Sequence, residues 1–376
     1  MWGRVFNLVL KELRQLRRDR AAKFRPLIPT LVQLFIFGYA ATFEVYNVST
    51  AVLDLDHSQE SRDLIARFAA SGRFEIVLTA KNDAEIARAI DRADAVVAIV
   101  IQAGFAEDLR KGLSAPAQVI VDGTNSNTAL IALSYVGQIV ADYAEESGQD
   151  LSRRMHPAQP PPPTVTIEPR PWYNVDYNSR WFFVPGVIAT LTLIMIVNLT
   201  SFAVVREREV GTLEQIMVTP IRPFEFILGK TIPYFLVGLA LTIVIAAVGT
   251  LWFQVPFRGN PLVLLLGTSL YLLGVLGIGL LISTVCKTQQ QAFATNFFVI
   301  NPAFILSGFS FPIASMPPFM QWLSTINPMT YYLIVIRGTF LKGVGLSVLW
   351  PQMLALAILG VGLLGLSVLR FHKSLD

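Results

Sequence analysis

The sequence predicts an α-helical integral membrane protein of six transmembrane helices with an inserted external α/β domain. Three observations carry that prediction: the composition, six apolar runs of membrane-crossing length, and one long polar segment between the first two of them. Of 376 residues, 53% are hydrophobic and only 15% charged, well outside the range of an ordinary soluble domain. The apolar residues concentrate at 26–43, 182–205, 231–253, 261–285, 292–311 and 346–369. Each run approaches the roughly 20 residues a helix needs to cross the hydrocarbon core, where an α-helix satisfies its own backbone.

At the amino end, residues 1–25 predict an amphipathic interfacial helix. Trp2, Val5, Phe6, Val9, Leu13 and Leu16 recur at helical spacing, and Arg4, Lys11, Arg14, Arg17 and Arg18 occupy the rest of the wheel. That pattern suits a helix lying in the membrane interface, with packing on a soluble partner as the plainer alternative. The first span, 26–45, follows basic residues, and Ala40 and Ala41 resemble a cleavage site. Its apolar run is longer than that of a typical signal peptide, so it is read as an uncleaved span. Lys and Arg then orient the chain. Fifteen fall in the amino-terminal arm, the second and fourth loops and the tail, whereas only Arg258, Arg337 and Lys342 fall in the short loops of the opposite face. The richer side is cytoplasmic, which places both termini there.

The segment 46–180 is therefore external. From 44 to 180 the chain holds 19 Asp and Glu against 12 Lys and Arg, while the remainder holds 7 against 18. The basic residues thus report topology and contact with anionic membrane lipids, not nucleic acid. Strand-like stretches at 49–53, 74–78, 95–101 and 117–121 alternate with helical patterns at 58–70, 83–91, 104–111 and 127–146, which predicts a compact α/β domain. Asp54, Asp56 and Asp122 lie near strand ends, where such domains often place ligands. Capping of the following helix by Asp56 and turn roles for the other two are the simpler expectation. Prolines at 157 and 160–163 make a semi-rigid linker before a short alternating stretch at 165–167. Trp172, Tyr173, Tyr177 and Trp181 then mark the return to headgroup level.

Several functions are disfavoured. None of the six runs contains Asp, Glu, Lys, Arg or His, whereas proton-coupled carriers need intramembrane ionisable groups. Gly229-Lys230-Thr231 resembles the end of a phosphate-cradling loop, but Phe224 stands where its first glycine belongs. The three histidines are scattered, so no metal site is expected; Cys286 is the single cysteine and rules out an internal disulfide. No catalytic residue and no cofactor bound by the chain itself is expected, and its energy must be supplied by a partner. A receptor or scaffold with an external ligand-binding domain, and a channel or secondary transporter, are the competing classes. The inserted hairpin described next weighs against the first, and the uncharged spans against the second.

Two blocks carry specific information. Arg206-Glu207-Arg208-Glu209 leaves the second span and Gly211 permits a turn. Thr212 and Gln215 have capping-box spacing, so a helix starts at Leu213, and Thr219-Pro220 stops it. Fewer than two turns long, it presents Leu213, Ile216 and Met217 on one face, suited to a groove on another protein. In the second block, prolines 312, 317, 318 and 328 forbid one uninterrupted span. Yet Phe309, Phe311, Ile313, Met316, Phe319, Met320, Trp322 and Leu323 are too apolar for a surface loop, which predicts a re-entrant or interfacial hairpin over 306–338. Asn198, Thr200, Asn296 and Asn301 are the polar candidates of the second and fifth spans, for lining a pathway or for joining helices.

On these residues the chain resembles the ABC-2 type transporter permeases, the transmembrane subunits of bacterial ABC exporters with a large periplasmic domain. The match runs through residues 206–215 and Val218-Thr219-Pro220, then residues 306–312, Met316-Pro317, residues 327–332 and Arg337-Gly338. It covers essentially the whole chain, 181–376 being the part that carries spans two to six. The resemblance implies an ATPase-coupling element within 206–222, carried by Arg206, Glu207, Glu209, Gly211, Thr212, Leu213, Glu214, Gln215, Ile216, Met217, Thr219 and Pro220. It implies an external gate built from Ser307, Gly308, Phe309, Pro312, Met316, Pro317, Asn327, Pro328 and Tyr331. It further implies an ABC ATPase subunit that holds ATP and Mg, a second permease copy or a paralogous permease, a periplasmic adaptor protein, and residence in the bacterial inner membrane. The activity so implied is export from the cytoplasm by alternating access.

Overall fold

The computed structural model describes residues 2–18, 20–40, 46–155, 172–174, 178–211 and 223–373. They form two compact units, Phe43–Arg170 and the combination of Met1–Thr42 with Pro171–Asp376.

In the first of these, β1 (Val48–Asp54), β2 (Phe74–Thr79), β3 (Val97–Ile101) and β4 (Ala117–Val121) alternate with α3 (Gln59–Ala70), α4 (Asp83–Asp91) and α5 (Phe105–Lys111), and α6 (Ser126–Met155) follows. The sheet order is β2-β1-β3-β4. β1 runs parallel to β2 and β3, and β4 is antiparallel to β3. Every residue of β3 is buried, as a central strand covered on both faces requires. On one face Val97, Ile99 and Ile101 meet Leu64, Phe68, Phe105 and Val136; on the other Ala98 and Val100 meet Ile86 and Ala89. The strands and the first three helices lie where the alternation predicts them. The last helix continues past the predicted 146 to Met155, since no proline intervenes before 157.

Local chemistry accounts for the strand-end carboxylates. The Asp54 carboxylate accepts from the Asp56 and His57 amides and from the Ser61 hydroxyl. Asp122 accepts from the amide and hydroxyl of Thr124. Asp56 caps a helix, but not the one that follows it. Ser58 is the N-cap of α3, while Asp56 accepts from Gly104 N at 2.7 Å and Ala106 N at 3.1 Å. It thereby supplies the oxygen that Gly104, the left-handed N-cap of α5, lacks.

The second unit contains α1 (Trp2–Arg18), α2 (Arg20–Ala40), α7 (Ser179–Glu209), α8 (Pro223–Leu251), α9 (Pro261–Val285), α10 (Gln289–Ile305), α11 (Pro318–Ser324), α12 (Pro328–Arg337) and α13 (Leu346–Lys373). Among the described residues, four helices are long and apolar enough to cross a membrane: α7, α8, α9 and α13. Of the two other predicted spans, the first is described as an apolar helix over Ile28–Ala40 within α2, and the run 292–311 is helical only to Ile305. Pro302, the left-handed Gly308 and Pro312 prevent its continuation. Close helix contact depends on small residues, as expected where lipid is as apolar as the interface. A Cβ on Gly277 of α9 would lie 2.9 Å from the backbone of α13, and one on Gly279 would lie 2.9 Å from Thr200 Cβ of α7.

The stretch 306–338 divides into two physically different halves. In α11, Phe319 and Trp322 are exposed, as an interfacial element presents them. In α12, Met329, Tyr332, Leu333, Val335 and Ile336 are buried. The Tyr332 ring stacks on Tyr271 of α9 at 4.2 Å and 7°. Both hydroxyls are satisfied, Tyr332 with Thr268 and Tyr271 with the Ala189 carbonyl.

Candidate functional site: the charged neck at the end of α7

α7 is 31 residues long, about 46 Å at 1.5 Å per residue, and so overshoots a hydrocarbon core of about 30 Å. Its last turn is Arg206-Glu207-Arg208-Glu209. Successive residues on a helix project about 100° apart, so these charges address different neighbours. Glu207 pairs with the Lys230 ammonium of α8. The same Nζ donates to Glu12 Oε1 of α1 at 2.7 Å. All three side chains are shielded, at 6% exposure for Lys230, 5% for Glu12 and 14% for Glu207. Arg208 Nη1 donates to the carbonyls of Cys286 at 3.1 Å and Thr284 at 3.4 Å. It thus satisfies acceptors that the end of α9 leaves open, where a cation is also favoured by the helix dipole. Glu209 Oε2 accepts from Gln289 Nε2 at 2.8 Å and from the Gln289 amide at 3.4 Å, at the first residue of α10. Arg206 is exposed. Gly211 then ends the helix with φ +79°, a conformation glycine adopts without penalty.

The four-residue turn therefore ties together the body of α1, the first third of α8, the end of α9 and the start of α10. Sequence pattern alone did not reveal this. In sequence, Lys230 belongs to the basic residues that report topology and to the incomplete phosphate-loop pattern Gly229-Lys230-Thr231, and neither pairs it with Glu12. Its signal was nevertheless present, because Glu12 lies seven residues after Val5 on the apolar stripe of α1. That stripe does not simply face lipid: Val5 is 3% exposed, and a Cβ on Gly229 of α8 would lie 2.7 Å from Leu8 Cβ.

Of the coupling candidates, Arg206, Glu207, Glu209 and Gly211 belong to this neck. Thr212, Leu213, Glu214, Gln215, Ile216, Met217, Thr219 and Pro220 lie outside the described residues. Two of the four pathway candidates meet. Asn296 Nδ2 donates to Asn198 Oδ1 at 2.9 Å and to Ser201 Oγ at 2.8 Å, a buried polar bridge between α10 and α7. Thr200 bonds to the Ile196 carbonyl of its own helix and packs against Gly279, and Asn301 is exposed and bonded to the Phe297 carbonyl.

The gate candidates serve turns and anchors. Ser307 accepts from the Phe309 amide and Gly308 is left-handed, with φ +84°. Pro312 and Met316 flank a 3-10 turn at Ile313–Ser315, and Pro317 precedes α11. Asn327 N-caps α12, in which Pro328 is the first residue, and donates to the Ala303 carbonyl at 2.6 Å. Tyr331 donates to the Thr325 carbonyl. Phe309 is the exception, a buried ring set against Gly186 of α7 and beside the Arg337 guanidinium.

Residues 26–369 match the ABC-2 family transporter proteins, and the chain belongs to that family. It is similar to the probable multidrug ABC transporter permease YbhR of Escherichia coli (strain K12), 35% identical over 96% of this chain and 95% of the relative. It is also similar to the probable multidrug ABC transporter permease YbhS of the same organism, at 32% over 100% and 98%. ABC transporter G family member 20 of Dictyostelium discoideum is 25% identical over 96% of this chain and 49% of its own length. The chain is thus a multi-pass membrane subunit of an ABC transporter.

Proposed function

We propose that this subunit is the permease of an exporter driven by a separate ABC ATPase, which holds ATP and Mg and docks on the loop between Gly211 and Pro223. The observation that carries this reading is the neck. Glu207 and Lys230 bracket the loop in sequence and are ion-paired, so α7 and α8 are tied together close to the points where the loop joins them. Glu12 couples α1 to that pair, Arg208 couples α9 and Glu209 couples α10. One docking event thereby reaches five helices, and bistable packing of those helices converts it into alternating access. Six spans, both termini in the cytoplasm and the Phe43–Arg170 unit in the periplasm complete the topology, in a bacterial inner membrane. Two such permeases, as a homodimer or with a paralogue, enclose the path, and an adaptor meets the periplasmic unit. The relatives' description as probable multidrug permeases supports small amphiphilic molecules as cargo.

The reading is tested on the intact chain purified with its ATPase. Asp at Leu213 and Met217 puts two charges into the predicted apolar face, each costing on the order of 2 to 4 kcal/mol in an interface. The ATPase is expected to dissociate while the permease elutes at its normal size. Retention of the ATPase at unchanged affinity, or transport by the permease alone under a pH gradient, would overturn the assignment.

A further inference from the structure

Arg337, the last residue of α12, is held in an unusual place. Its guanidinium carbon lies 4.0 Å above the Phe182 ring and 6.0 Å from the Phe309 ring. A Cβ on Gly186 would lie 3.4 Å from Nη2 and would strike the Phe309 ring, so only glycine leaves room for both groups. Among the described residues, Nε and Nη2 are buried without a hydrogen-bond partner. These two nitrogens form one side of the guanidinium fork, the edge that grips a carboxylate or phosphate with two parallel bonds. Stacking on aromatic faces attracts a cation but leaves its in-plane N–H groups unsatisfied.

The surrounding helices cannot supply the missing anion. From 179 to 206 and from 226 to 375 the sequence contains no Asp or Glu, and these stretches include α9 to α13. We propose that the Nε and Nη2 edge of Arg337 is a binding site for an amphiphilic oxyanion, a phosphate or carboxylate carried on an apolar body, which Phe309 covers in this state. The charged group is recognised by the fork and the apolar body by the Phe182 and Phe309 rings. A lipid headgroup and a diffusing amphiphile share this chemistry.

The test uses the full chain in dodecyl maltoside micelles, which carry neither phosphate nor carboxylate. Thermal unfolding is followed while hexyl phosphate, hexanol or phosphatidylglycerol is titrated. The unaltered chain is expected to be stabilised by the phosphates and not by hexanol. Arg337→Gln is expected to bind them roughly 10- to 100-fold more weakly, and Arg337→Lys, which keeps the charge but not the fork, to fall between. Before any anion is added, Arg337→Gln should unfold at or above the normal temperature, because it removes an unpaired buried charge. A response to phosphatidylglycerol alone assigns a lipid headgroup, and a response to both phosphates assigns a site open to diffusing amphiphiles. Equal binding by Arg337→Gln, no response of the unaltered chain to either phosphate, or a markedly lower melting temperature of ligand-free Arg337→Gln would overturn the proposal.

Discussion

Replacing Lys230 with Met preserves most of the side-chain volume but removes the ammonium between Glu12 and Glu207. Removing one partner of a buried ion pair costs about 3–5 kcal/mol, because the remaining charge is left desolvated. Here two carboxylates are left. Glu207 is fixed in the last turn of α7, whereas α1 packs chiefly on α8 and α2, so the least costly response is release of α1. At about 1.4 kcal/mol per tenfold, that penalty shifts the docking equilibrium by a factor of hundreds to thousands. A cysteine at Val5 reads it directly, in a Cys286→Ser background, since Val5 of α1 is 3% exposed in the folded chain. Labelling by a thiol reagent should be slow with Lys230 present and at least about tenfold faster in Lys230→Met. Adding Glu12→Gln and Glu207→Gln should restore protection, because a neutral set replaces the network without stranding a charge. Labelling of Lys230→Met at the unaltered rate would refute the role given to the triad.

Three further outcomes follow from other contacts. The Ser58 hydroxyl holds the Asp56 carboxyl below its usual range, partial burial opposes this, and the Gly104, Ala106 and Phe105 amides add to the lowering. Asp56 therefore stabilises the fold above the ordinary Asp range and loses that effect as pH falls through its depressed pKa. Asp56→Ala should lower stability by about 0.5–2 kcal/mol at neutral pH and by progressively less in acid, as read by denaturant unfolding of the Phe43–Arg170 unit within the full chain. Gly277→Ala should destabilise the α9–α13 contact by about 1–3 kcal/mol, seen as a lower melting temperature in detergent, while a Gly362→Ala control, with open space around it, should not. Asn296→Ala should cost about 0.6–2 kcal/mol; if melting temperature is unchanged but transport is lost, the Asn198–Asn296 bridge is a transport element and not a structural one.

Much of the fold was legible because periodicity records burial. The apolar run at 95–101 predicted a buried strand, which the structure makes central, and the helical pattern at 83–91 is α4, started by Asn82, whose side chain accepts from the Glu85 amide. The functional neck was only half legible. Arg206-Glu207-Arg208-Glu209 could be located, but the partner of each charge is set by tertiary contacts across 23, 76 and 80 residues. A count of Lys and Arg treats Lys230 as solvated, although packing against Glu12 buries it. The same limit applies to Asn198 and Asn296, whose residue types fit a pathway and a helix bridge equally well. Arg337 looked like an ordinary loop cation because Gly186 and Phe309, which bury it, are 151 and 28 positions distant in the chain.

The stacked Tyr271 and Tyr332 rings have a mechanical implication for the hairpin. They bind α12 into the rigid interior, together with the Asn327 bond to the Ala303 carbonyl. Between Gly308 and Asn327, by contrast, Phe311, Phe319, Met320 and Trp322 are exposed, and few bonds tie that stretch to the helices around it. The stretch 310–326 is therefore the part of the hairpin least held by the helices around it. Its exchange between related chains as a cassette is expected to leave the tyrosine-anchored frame, and with it the melting temperature in detergent, undisturbed.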